Sequence, residues 1–186
     1  MSTRNELLEA ILAASTSGGF NPTDDLNIER LFDGESVAAN QQPAGLGVAN
    51  SAQIEFGPAF GTGSDPVQMG ADGTVTINTA GTYRVKISVQ FGRTGGAGTS
   101  LILFRVRVNG VQSGRSIAAK IENADAEQYF ENDTWLTVPA ATELRFDLMR
   151  DASGNNSGGL FAVTPTVEAG SWDLAPTAAI RLERWV

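Results

Sequence analysis

From residue 82 the chain alternates: Tyr83, Val85, Ile87, Val89 and Phe91 are interleaved with Thr82, Arg84, Lys86, Ser88 and Gln90. A two-residue period sustained over ten positions predicts a strand with one buried face. Residues 100–110 repeat it, setting Ile102, Phe104, Val106 and Val108 against Leu101, Leu103, Arg105 and Arg107, and stop at Asn109-Gly110. That dipeptide tolerates the positive φ angles of a two-residue hairpin turn, so a second strand is expected over 111–121. Further short apolar runs at 54–56, 74–78, 129–138, 144–149 and 178–185 are separated by Gly, Asn, Asp or Pro. Strands so spaced, with no helical period between them, predict an all-β antiparallel sandwich or barrel. No fixed-period repeat points to a propeller or solenoid.

The leading quarter reads differently. Thr3 and Glu6 form a capping-box pair, and Leu7, Leu8, Ile11 and Leu12 fall on one side of a helix expected over 4–14. Three turns are too few to hold in water alone, so this helix either docks on its own domain, frays at the surface, or anchors another protein or a symmetry mate. Residues 15–52 are rich in Gly, Asn, Pro and Ser and read as an extended arm, with one possible helical turn at 25–32. Residues 1–45 carry two arginines against seven acids, so −5 of the chain's formal −8 sits in the arm. The expected division is an arm over 1–52 and a β domain over 53–186.

Composition narrows the chemistry. The 186 residues include no Cys and no His, which removes disulfides, thiolate metal sites and every His-dependent triad or zinc site. Lysine occurs only at Lys86 and Lys120, and the expectation is a protein that is not an enzyme. The acidic balance disfavours nucleic acid, and no run of about 18 apolar residues would span a membrane. The acidic amino terminus lacks the plan of a secretory signal. Residues 91–100, FGRTGGAGTS, lack the Gly-Lys-Ser/Thr end of a phosphate loop and read as a flexible hairpin tip; residues 151–159 lack the closing Glu of a Ca²⁺ loop. No metal or cofactor is expected. Asp24-Asp25 has no rigid frame for a glycosidase pair. Arg84, Arg105 and Arg107 are expected to pair with Glu131, Glu143 or Asp147 across a sheet. Trp135, Trp172 and Trp185 read as core or interface anchors.

The order of GADGTVTINTAGTYRVKISVQF, an Arg-bearing strand ending VNG, YFENDTWLTVPAATELRFDLMRD and a terminal AAIRLERWV resembles the jelly roll of tumour-necrosis-factor-like and complement globular-head domains, bacteriophage virion versions especially. The resemblance spans about residues 53–186. Ala80-Gly81-Thr82-Tyr83 matches the start of a core strand, where Gly81 suits a positive φ or a close backbone approach and Tyr83 can bury its ring with its hydroxyl bonded at the sandwich end. The resemblance implies homotrimers packed through one sheet face. Leu101 and Leu103 make their strand apolar on both sides, which requires a neighbouring chain or a covering arm.

The expectation from these readings is a structural virion protein of a tailed bacteriophage, made in the bacterial host cytoplasm. It would be a trimeric decoration or cement protein on the capsid exterior, partnered by itself and by the major capsid protein or another virion protein. Its capsid anchor would be Leu7, Leu8, Ile11, Leu12, Leu31 and Phe32, and its trimer interface Leu101, Leu103 and Trp185. The alternative is the receptor-binding head of a tail or head fibre, whose loops would meet a host-surface glycan or protein.

Overall fold

The structure is a computed structural model, described here for residues 28–36, 40–124, 126–163 and 175–185. The strands are β1 (Ile28–Ser36), β2 (Ala52–Gln53), β3 (Val67–Met69), β4 (Val75–Ile77), β5 (Gly81–Gly92), β6 (Ser100–Val108), β7 (Val111–Ile121), β8 (Gln128–Val138), β9 (Thr142–Arg150), β10 (Gly159–Leu160) and β11 (Ala178–Trp185). The only helical turn among the described residues is a 3-10 turn at Val48–Asn50. In one sheet, β11 and β8 flank β5, and β1 forms an edge beside β11. In the other, β9 and β7 flank β6, with β2 and β4 on the far side of β9 and β3 beyond β4.

The pairing identifies the topology. Leaving aside β2, β3 and β10, the first strand pairs with the last (β1 with β11), β4 with β9, β5 with β8 and β6 with β7, all antiparallel. This is one long hairpin rolled over on itself into two sheets, an antiparallel jelly-roll sandwich.

The two inner faces meet in an aromatic core. Phe56 sits edge-on to Phe146 at 5.3 Å between ring centroids, and Phe104 stacks on Phe146 at 6.4 Å. Tyr83 is fully buried and donates its hydroxyl to the Thr79 carbonyl at 2.6 Å, as expected; its burial raises its pKa. The Asn109-Gly110 turn has φ of 49° and 80°, the primed-turn geometry that matches strand twist.

Three expectations are corrected. Residues 28–32, placed in a possible helical turn, belong to strand β1. Gly81 has no positive φ, and a Cβ there would meet Arg184 at an ordinary 3.4 Å. The division at 52/53 does not hold, because β1 completes the first sheet and residues 46–53 run beside β9, with Gly47 N–H donating to the Arg150 carbonyl at 2.8 Å. The helix expected over 4–14 lies outside the described residues.

Candidate interaction surface

The outward parity of each strand decides what the sandwich shows to its surroundings. On the first sheet, Thr82, Arg84, Lys86 and Ser88 of β5 lie in register with Thr137, Trp135, Asp133 and Glu131 of β8 and with Trp185, Glu183, Arg181 and Ala179 of β11. Arg84 donates through Nε to Asp133 at 2.9 Å and through Nη1 to Glu183 at 3.1 Å. Lys86 meets Glu131 at 3.0 Å, and Arg181 meets Asp33 at 2.7 Å. The hydrogen bonds from Arg84 and Lys86 hold the carboxyls of Asp133 and Glu131 below their ordinary values, and Asp133 raises the Arg84 pKa further. Small side chains at Ser88 and Ala179 leave a depression of about 430 Å³ between these charges.

At the end of this ladder, Trp185 stands beside Thr82 and Trp135 beside Arg84, and the two rings meet edge to face at 5.9 Å. The Arg84 guanidinium lies 5.9 Å from the Trp135 ring. Both indoles remain open, Trp135 at 43% and Trp185 at 51% exposure, and Tyr129 stands exposed on the same strand face. Large aromatics left half in water beside charges that satisfy one another are the composition of an association surface.

The second sheet's outer face is built otherwise. Arg105 and Arg107 both reach Asp147, at 2.9 and 2.7 Å, and that carboxylate is 4% exposed. Beyond it Leu103 lies between Met149 of β9 and Ala118 of β7. Between Phe104 and Val106 the β6–β7 register slips, and β7 bulges around Gly114 at φ 72°. The bulge opens a groove of about 210 Å³ lined by Val48, Leu103, Arg105, Gln112, Ser116 and Met149. Val48 borders it from the 46–53 segment and is 69% exposed.

A third assembly holds the loops at one end. Arg150, buried, donates to the carbonyls of Asn156 and Pro43; Arg93, buried, donates to those of Gly96 and Gly98. Ser157 donates to the Gly95 carbonyl at 2.6 Å. Burial lowers the Arg150 pKa. Asp151 caps its own turn, accepting from the Ser153 backbone N–H at 2.8 Å.

The expected site residues therefore separate. Leu101 and Leu103 point outward from the second sheet, whereas Trp185 stands on the outer face of the first, so the three share no surface. Phe32 points into the core and packs on Phe60 at 4.5 Å, and Leu31 packs against the same core. Leu7, Leu8, Ile11, Leu12, Trp172, Asp24 and Asp25 lie outside the described residues. Arg105 and Arg107 pair with Asp147 as expected; Arg84 chooses Asp133 and Glu183. Tyr129 and Trp135 were separable from the core by parity, since both alternate with the inward Phe130, Leu136 and Val138. The arginine clamps left no sequence signal beyond two arginines beside glycine-rich loops.

Neither a protein-family model nor a curated protein matches the chain. Among solved structures it is similar to the globular domain of zebrafish complement 1qA protein, at 8% identity and a TM-score of 0.44 over 85% of this chain and 98% of that one. The jelly-roll assignment stands on the strand pairing itself.

Proposed function

We propose that this jelly roll is a non-catalytic assembly protein: a homotrimer packed through the outer face of its first sheet, decorating the capsid exterior of a tailed bacteriophage. The observation that carries the reading is the half-exposed Trp135–Trp185 pair at the end of a charged ladder. Arg84, Lys86 and Arg181 alternate with Asp33, Glu131, Asp133 and Glu183 across that face, so a second copy offers each charge an opposite partner, and the indoles supply area to exclude water. A contact of one copy's face with a different part of the next closes into a ring when the rotation is threefold.

The tether in this reading is the segment before β1, with Leu7, Leu8, Ile11 and Leu12 as its apolar side. Leu31 and Phe32 are no part of it, because they serve the core. Three tethers per trimer bind a carrier at high effective concentration once the first has engaged. The decisive experiment deletes residues 1–24 and leaves β1 whole. The truncated protein is expected to keep the oligomeric mass and to stop co-sedimenting with phage capsids; retained co-sedimentation overturns the tether.

The clamped 93–99 and 151–158 loops favour a second reading, a fibre head whose preorganised end meets a host-surface glycan or protein. Counting copies per purified particle separates the two. Decoration requires many copies over the capsid, and a fibre head only a few.

A further inference from the structure

We propose that the free edge of β8 receives an extended strand of another protein, one that turns apolar side chains into the sandwich and basic side chains outward. This goes beyond the trimer contact proposed above, which uses the outer face of the first sheet and not its edge.

Three long strands leave one side unpaired among the described residues: β1, β7 and β8. Two of these edges are interrupted. β1 shifts register between Arg30 and Phe32, and the β6–β7 ladder slips between Phe104 and Val106. Such breaks discourage a further strand from adding. The ladder from β8 to β5 has none: it runs without a shift from Gln128 beside Phe91 to Val138 beside Gly81. The 11 residues of β8 include no proline, glycine or lysine, so its row of open N–H and C=O groups is a regular template for pairing.

The sandwich also gapes on this side. Phe130 of β8 lies 6.2 Å from Phe104, which is in register with Ile117 of β7, yet no ladder among the described residues joins β7 to β8. By parity Val106, Ile117, Phe130 and Leu136 point inward and pack against the core, but they stay only partly buried, whereas Val85, Ile87 and Val89 of β5 are buried. Between Phe130 and Leu136, the inward side chains of Asn132 and Thr134 are half-buried and have no hydrogen-bond partner. A strand added to β8 turns every second side chain into this gap and satisfies the open backbone groups at the same time.

Charge selects the occupant. Glu131 pairs with Lys86, Asp133 and Glu183 share Arg84, and Glu127 meets the Gln90 amide, so four acids face two cations along β8. No lysine or arginine occurs from residue 121 to residue 144. A second β8 would set acid beside acid, and residues 1–27 of this chain, with one arginine against four acids, have the same sign. A basic strand from a different protein fits.

The probe is a synthetic peptide of about nine residues, about 30 Å when extended, alternating Val and Lys with Thr in place of the central Val. Amide hydrogen exchange of the full chain is followed with and without it, and the oligomeric mass is read in the same samples, so loss of the trimer and loss of strand addition are seen separately. The proposal predicts that every second amide of β8 exchanges fast in the protein alone and slows when the peptide is added. Replacing the peptide's Lys by Glu, or methylating its backbone amides, is expected to weaken binding about tenfold or more, and Glu127→Lys in the protein severalfold. Protection that falls on β6 and β7 instead, equal binding of the methylated peptide, or no response of β8 overturns the proposal. So does a β8 edge already protected in the protein alone, which would show it covered by this chain or a second copy.

Discussion

The two outer faces of the sandwich solve the same problem in opposite ways. On the first, the charges satisfy one another in half-exposed pairs: Arg84 and Asp133 have side-chain exposures of 36% and 34%, and Lys86 and Glu131 37% and 42%. On the second, one carboxylate at 5% side-chain exposure is shared by two arginines. Exposed pairs are screened by water and salt and contribute little to folding, whereas a desolvated carboxylate depends on its partners. The first face therefore leaves its charges and its indoles available to another molecule. The second ties its charges into the fold and leaves an apolar groove beside them.

The largest effect expected from breaking this contrast is at Asp147. Asp147→Asn removes the charge that two partly buried arginines share and is expected to lower unfolding free energy by about 2 kcal/mol, measured by chemical denaturation. Asp133→Asn on the first face is expected to leave the denaturation midpoint close to the native value. Similar losses at both positions would erase the distinction.

A smaller loss is expected on the outward side of β6, in and beside the groove. Replacing Leu101 and Leu103 together by Ser removes half-buried apolar area worth about 1–2 kcal/mol, yet leaves the oligomeric mass in sizing chromatography unchanged, because neither residue lies on the proposed trimer face. Dissociation on this change would move the interface to the second sheet.

The smallest effect is the acid response of the ladder. The folded-state pKa values of Glu131 and Asp133 are lowered by their hydrogen bonds to Lys86 and Arg84. Their contribution is therefore complete above the ordinary carboxylate range, about pH 4, and is lost as pH falls through the lowered folded values. Carboxyl resonances followed by NMR titration should show both midpoints below the ordinary range. Salt should weaken these exposed pairs first.

The parts of the fold legible in the sequence are those where inward positions are apolar and strands are continuous. β5 and β11 keep strict parity, and Asn109-Gly110 announces its own turn. β1 was hidden because its inward positions are Phe32, Gly34 and Ser36, and a register shift interrupts it between Arg30 and Phe32. Gly34 is there for space: a Cβ would lie 2.5 Å from the Phe32 ring and 2.8 Å from the Phe56 carbonyl. No hydrophobicity pattern reports such a constraint. On the surface, parity separated outward Leu101 and Leu103 from the core, but which outward residues share a sheet depends on long-range pairing, and that parted them from Trp185. The arginine clamps depend on loop conformation and were equally invisible.

The claim on which the account turns is that the first sheet's outer face binds copies of the same chain. Native mass spectrometry of the full chain beside its Trp135→Ser/Trp185→Ser variant tests it directly. The account predicts three chain masses for the native protein and one for the variant, with the variant's circular dichroism unchanged. A native protein of one chain mass, or a variant that stays trimeric, would contradict it.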